Sequence, residues 1–231
     1  MPRHFALIPA AGSGSRIGGA APKQYLPLAG RPLLYHAIKR ICAAAEIDRV
    51  YVVLAPGDAD FGRYDWTEFG ARLKPAYCGG ATRAASVLNG LESVRDEVAG
   101  EDWVLVHDAA RPCLGAAELA RLLAELRDDE VGGLLALPLA DTLKQAKDAR
   151  VETTLPRDSL WRAQTPQMFR YATLLAALRA PSRTEVTDEA SAVERLGLRP
   201  RLVTGSSANI KVTFPEDLRL AAAILENMGT A

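Results

Sequence analysis

Arg16 and Lys23 follow a run of small residues, Pro9-Ala10-Ala11-Gly12-Ser13-Gly14-Ser15. Small side chains let backbone N–H groups close around an anion. Two fixed cations beside such a loop suit a polyphosphate and the charge that builds on a transferring phosphoryl group. The loop is not a dinucleotide fingerprint, because G-x-G-x-x-G counted from Gly12 needs glycine where Ile17 stands. Nor is it a P-loop, which from Gly14 reaches Gly19 but then needs Lys and Ser/Thr where Ala20 and Ala21 stand. A glycine-rich turn with two solvated bases stays open on these residues alone.

The second chemical group is the carboxylate of Asp108, which follows the apolar run Trp103-Val104-Leu105-Val106 and precedes Ala109 and Arg111. A carboxylate at that point, across from the glycine loop, suits Mg²⁺ bridging nucleotide phosphates, because this ion takes one or two carboxylates and completes its shell with phosphate oxygens and water. Arg111 would then meet a second phosphate. The competing role for Asp108 is as the cap of a helix starting near Gly115. His107 reads as structural, since a phosphate attacking phosphorus has no proton to give up.

The elements needed to position these groups are legible as alternating patterns. Residues 5–9, 50–55, 104–107 and 133–138 form short apolar runs, as expected of parallel strands covered on both faces, and residues 73–78 read as a further strand. Amphipathic stretches at 33–44, 84–94, 116–126, 172–178, 189–196 and 217–225 read as helices. The alternation implies βαβ units in a mostly parallel sheet, with ligands beyond the carboxyl ends of the strands. Residues 141–155 break the rhythm with two β-prone runs around a polar turn at 147–150, which predicts a hairpin. An isolated hairpin is marginal in water, so this one must lie on something. One domain over 1–231, carrying a β-arm at about 139–159, is expected.

Composition removes other function classes. The 231 residues carry 28 Lys+Arg against 28 Asp+Glu, a formal net charge of zero, so the basic excess of a nucleic-acid or anionic-membrane surface is missing. Three widely spaced cysteines, Cys42, Cys78 and Cys113, form no C-x-x-C pair, and neither a disulfide framework nor a zinc knuckle is indicated. The longest apolar runs are about half the ~20 residues of a membrane span, and the N-terminus shows no export signal. A cytoplasmic protein without a membrane anchor is expected.

Taken whole, the string Pro9-Ala10-Ala11-Gly12-x-Gly14-x-Arg16 with Pro22-Lys23-Gln24-Tyr25-Leu26 resembles nucleotidyltransferases that activate sugars and alditol phosphates. Within them it is similar to the 2-C-methyl-D-erythritol 4-phosphate cytidylyltransferases. Further segments resemble that family in order: residues 79–87, Val106-His107-Asp108-Ala109-Ala110-Arg111-Pro112, residues 138–144, 156–161 and 165–169, Thr187-Asp188-Glu189-Ala190, and residues 209–213. The resemblance implies a Rossmann-like, mostly parallel α/β sheet of the nucleotide-diphospho-sugar transferase type, flanked by helices and bearing a protruding β-hairpin arm. It also implies transfer of CMP from CTP to methylerythritol phosphate with release of pyrophosphate, in the non-mevalonate isoprenoid pathway.

By the same resemblance, CTP is held by Pro9, Ala10, Ala11, Gly12, Gly14, Gly80, Arg83, Ser86 and Ala109. Arg16, Lys23 and Asp108 are catalytic, with Mg²⁺ on Asp108. Arg111, Thr142, Arg157, Thr165, Thr187 and Lys211 bind the alditol phosphate, and a homodimer forms through the arm. One departure is Ala81, where many relatives carry Asp or another polar residue, so base selectivity rests more on backbone groups. As plain sequence, Ser86 is equally a helix-face hydroxyl, and Thr187-Asp188-Glu189 is equally a helix cap with acidic first-turn residues. A cytidylyltransferase for another polyol phosphate, such as ribitol 5-phosphate, is the alternative, although Arg157 and Thr165-Pro166-Gln167 favour methylerythritol. The chain length is expected of the unfused enzyme.

Overall fold

The computed structural model describes residues 2–12, 22–181 and 186–229. Gly14 and Arg16 therefore lie outside the described residues. The chain opens with β1 (His4–Pro9) and continues, beyond a 3-10 turn at Lys23–Tyr25, into a small ribbon of β2 (Pro27–Leu28) and β3 (Arg31–Pro32). Next come α1 (Leu33–Cys42), β4 (Ile47–Val53), β5 (Leu73–Ala76), α2 (Arg83–Ser93), β6 (Trp103–Val106), α3 (Ala116–Leu126) and β7 (Gly132–Pro138). The arm follows as β8 (Leu143–Lys147) and β9 (Arg150–Leu155). The chain then returns through β10 (Trp161–Arg170), α4 (Tyr171–Arg179), α5 (Glu189–Glu194), β11 (Arg201–Thr204) and α6 (Pro215–Met228).

Seven strands form one sheet in the order β11-β7-β10-β6-β1-β4-β5. All pairings are parallel except those of β10, which is antiparallel to both β6 and β7. Strand β1 is continuously apolar because both its faces are covered. Ala6 and Ile8 join Leu34, Ile38, Leu119 and Leu122 of α1 and α3 on one face, while Phe5 and Leu7 join Val87, Leu91 and Leu174 of α2 and α4 on the other. At Gly90 a Cβ would stand 2.6 Å from Val53 Cγ2 and 2.7 Å from Leu7 Cδ1, so glycine is what lets α2 lie this close to the sheet.

The expected strands, helices and hairpin are all present. The sequence reading missed β10, β11 and the β2–β3 ribbon. In the arm, Lys147 pairs with Arg150, and the two turn residues, Asp148 (φ 49°) and Ala149 (φ 60°), both take positive φ as a type I′ turn requires. All of β9 is exposed, and so are the apolar side chains of Val151, Leu155, Leu160 and Trp161 along the arm and at its base.

Candidate active site

A cavity of about 520 Å³ opens beyond the carboxyl ends of β1, β5 and β6. Of the residues anticipated from sequence, Pro9, Ala10, Ala11, Gly12, Lys23, Gly80, Arg83, Ser86, Asp108, Ala109 and Lys211 line it. Its floor is built by close backbone approach. Ala10 N–H donates to the Val53 carbonyl at 2.8 Å, Gly79 N–H to the Leu54 carbonyl at 2.8 Å, and the buried Gln24 amide to the Ala10 carbonyl at 2.7 Å. A Cβ on Gly79 would fall 2.2 Å from the Ala11 Cβ, so these two segments touch only because position 79 has no side chain.

Asp108 is the charge centre of the cavity. It is 7% exposed, and its Oδ1 accepts from Arg83 Nε at 2.9 Å. Its Oδ2 lies 2.8 Å from Lys211 Nζ and 3.8 Å from Arg111 Nε. Burial pushes the carboxyl pKa up, but Arg83 foremost, with Lys211 and Arg111, overrides this and holds it far below the usual carboxylate range. Asp108 does not cap α3, whose N-cap is Gly115 without a side-chain bond. Its own backbone N–H donates to Thr165 Oγ1 at 2.9 Å.

Beneath it, His107 settles the direction of a hydrogen-bond chain. Its Nε2 lies 3.0 Å from the Arg111 carbonyl, which can only accept, so Nε2 carries the proton. Burial lowers its pKa to about 4, so the ring is neutral at pH 7 and Nδ1 accepts from the Thr165 hydroxyl at 3.1 Å. His107 is thus a scaffold group and not a base. Arg111 and Thr165 do not line the cavity. Arg111 donates from Nη1 to the Asn209 carbonyl at 2.6 Å and from Nη2 to the Ala163 carbonyl at 3.3 Å, pinning the loop before α6 to β10.

Ser86 takes the helix-face role as well as lining the cavity. Its hydroxyl accepts from Gly80 N–H at 3.0 Å and lies 2.9 Å from the Thr82 carbonyl, closing the turn into α2. Thr187 is exposed, with its hydroxyl 3.4 Å from Ser191 Oγ, outside the cavity lining. Thr142 and Arg157 sit at the base of the arm, both exposed, and Arg157 Nη1 donates to the Ala140 carbonyl. Asp188 caps α5 in a capping box with Ser191. Its neighbour Glu189 is the first-turn acid of α5, as the plain reading had it, and is also buried: it is 1% exposed and pairs through both oxygens with Arg83, at 2.7 and 3.0 Å. Burial raises the Glu189 pKa, and Arg83 opposes that rise. No spacing rule could have matched Glu189 to Arg83.

Among the described residues there is no group of three His, Cys, Asp or Glu side chains that could hold a metal. Asp108 offers one carboxylate, already ringed by cations. It fits Mg²⁺ only as a single ligand, with nucleotide phosphate oxygens and water supplying the remainder.

A glycine-rich floor and a ring of cations around one carboxylate, at the carboxyl edge of a mostly parallel sheet flanked by helices, define an α/β nucleotidyltransferase. Comparison with known proteins narrows the class. The chain belongs to the 2-C-methyl-D-erythritol 4-phosphate cytidylyltransferase family, whose model matches residues 4–227. It is 62% identical to the 2-C-methyl-D-erythritol 4-phosphate cytidylyltransferase of Azoarcus sp. (strain BH72), over 98% of this chain and 95% of that one. It is 56% identical to the enzyme of the same name from Nitrosospira multiformis, over 98% of this chain and 99% of the relative. A crystal structure of a 4-diphosphocytidyl-2C-methyl-D-erythritol synthase superposes with a TM-score of 0.86 at 37% identity, covering 97% of this chain and 99% of the other.

Proposed function

We infer that the cavity transfers CMP from CTP to 2-C-methyl-D-erythritol 4-phosphate, giving CDP-methylerythritol and pyrophosphate. The observation that carries this assignment of the site is the convergence of Arg83, Lys211 and Arg111 on Asp108 in a cavity shared with the glycine floor and Lys23. Both reactants are anionic, so the site's task is to align them in line and offset their charge. The acceptor phosphate attacks the α-phosphorus, and no general base is needed.

In this reading Lys23 and Arg16 face the charge on the transferring phosphoryl and the departing pyrophosphate. Gly12, Gly14 and the Pro9–Ala11 backbone cradle the triphosphate. Gly80, Ser86 and Ala109 bound the base and ribose, with Arg83 on the phosphates. Lys211, Thr165, Thr187 and Arg111 serve the acceptor side, Arg111 and Thr165 through the loops they pin. Asp108 would hold Mg²⁺ together with the nucleotide phosphates, and the ion supplies further charge neutralisation when bound.

The arm supports a homodimer. Its exposed Val151, Leu155, Leu160 and Trp161 are apolar area of the kind a partner surface covers, and in this reading an exchanged arm brings the exposed Thr142 and Arg157 to the partner's cavity. Among the described residues no helix is long and apolar enough to cross a membrane. A cytoplasmic location accords with the free thiols of Cys42, Cys78 and Cys113, which suit a reducing compartment. The test is a pyrophosphate-release assay crossing CTP, UTP, ATP and GTP with methylerythritol phosphate and ribitol 5-phosphate. The expected result is turnover with CTP and methylerythritol phosphate, and ribitol 5-phosphate as the preferred acceptor overturns the assignment.

A further inference from the structure

Glu189 is the first residue of α5 and is 1% exposed, yet no step of the reaction above uses it. Its two oxygens accept from both terminal nitrogens of Arg83, Nη1 at 2.7 Å and Nη2 at 3.0 Å. Of the three N–H groups that remain on Arg83, Nε–H donates to Asp108 Oδ1 at 2.9 Å. A guanidinium is planar and its donors form a rigid fork, so a carboxylate that grips both Nη atoms also fixes where Nε–H points.

Glu189 is itself held from both sides. Gln167 of β10 is 1% exposed, accepts Ala190 N–H on Oε1 at 2.8 Å, and donates from Nε2 to Asp188 Oδ2 at 2.9 Å. The residues before and after Glu189 are therefore tied to the central sheet. A line of contacts runs from β10 through α5 to the first residue of α2 and ends on the carboxylate at the end of β6.

We propose that Glu189 is a positioning residue for cytidylyl transfer: it aims Arg83 at Asp108 and the cavity, and this aim, beyond the Arg83 charge, is required for turnover. The proposal rests on the functional reading above. It separates two properties of Arg83, its charge and its direction, that a simple deletion removes together.

The test is steady-state pyrophosphate release by the full-length chain, with kcat and KM for both substrates, for wild type, Glu189→Gln, Arg83→Lys, Arg83→Gln and the double variant Glu189→Gln/Arg83→Gln. Glu189→Gln keeps size and shape but loses the two-oxygen grip, while Arg83→Lys keeps the charge but loses the fork. Each is expected to lower kcat/KM for CTP about tenfold or more, as misplacement of a reacting group does. If Glu189 acts through Arg83, adding Glu189→Gln to Arg83→Gln costs less than about a further twofold. Full additivity, or a Glu189→Gln variant within about twofold of wild type, overturns the proposal. Should Glu189→Gln fail to fold by circular dichroism, Arg83→Lys decides: activity near wild type overturns the proposal, and activity near that of Arg83→Gln upholds it. A wild-type chain that does not turn over CTP with methylerythritol phosphate overturns the functional reading instead.

Discussion

Lys211 Nζ stands 2.8 Å from Asp108 Oδ2, and this ion pair ties the loop before α6 to the end of β6 across the mouth of the cavity. Arg83 and Arg111 reach the same carboxylate, so Asp108 keeps these three cations together. Asp108→Asn preserves the shape and removes that anion. The expected outcome is a loss of about 10²-fold or more in kcat, with an unchanged far-ultraviolet circular dichroism spectrum. A folded variant that keeps more than about a tenth of wild-type kcat refutes this role.

Because the same carboxylate is ringed by cations, metal binding should depend on nucleotide. In calorimetric titration, Mg²⁺ is expected to show no saturable binding to the protein alone and to be needed for turnover once CTP is present. Turnover undiminished in excess chelator removes the metal from the reading.

Lys23 lines the cavity beside the glycine floor, and the proposed reaction sets it against the negative charge that grows during transfer. Lys23→Ala is expected to lower kcat by about 10²-fold while the acceptor KM changes far less, since the interaction strengthens in the transition state. Unchanged kcat with weakened CTP binding assigns Lys23 to the ground state alone.

His107, fully buried, has its pKa lowered from 6.5 to about 4. Between those values the unfolded chain binds more protons than the native one, so this group makes stability rise with pH and fall as pH drops through 6.5 toward 4. The full loss is about 3 kcal/mol, at about 1.4 kcal/mol for each unit. Urea unfolding at pH 7 and pH 5 should show the decline in wild type, and a His107→Gln variant should show a flatter pH dependence.

The arm gives a prediction that follows from symmetry. If Thr142 and Arg157 act in the partner's cavity, mixing Asp108→Ala and Arg157→Ala chains creates one whole site in every mixed dimer. About half the dimers are mixed at random, so about a quarter of wild-type activity should return from two inactive proteins. No recovery after confirmed subunit exchange excludes the crossed arrangement.

Sequence patterning captured the parts of the fold whose burial is simple. Strands β1, β4, β6 and β7 are covered on both faces and read as apolar runs, and the hairpin turn announced itself through polar residues at 147–150. Strand β10 was hidden because the buried part of Trp161–Arg170 includes the polar residues Gln164, Thr165 and Gln167, which hydrogen-bond to the loop at 206–209, to His107 and to the start of α5 respectively. Strand β11 is four residues at the sheet edge, half-covered and too short for a period. Cavity-lining residues were legible where motifs are contiguous, as at 9–12 and 108–110, whereas Glu189 and Asn209 stand in motif segments whose pairings could not be read, because their partners lie far off in sequence. Arg111 illustrates the same limit: its type suggested a phosphate ligand, and nothing in the sequence pointed to the Asn209 and Ala163 carbonyls or to the Asp108 carboxylate that it meets in the fold.

The bare Cα of Gly79 also constrains how this sequence can vary. A methyl group there would meet the Ala11 Cβ at 2.2 Å and the Leu54 carbonyl oxygen at 2.8 Å. Trimming Ala11 to glycine would clear the first obstacle, but the second is main chain and cannot be trimmed. The two positions are therefore unequal partners: glycine can be traded in at 11 without a collision, whereas no compensating exchange at 11 opens position 79 to a side chain. Drift in the cavity floor is thus confined to one of its two walls.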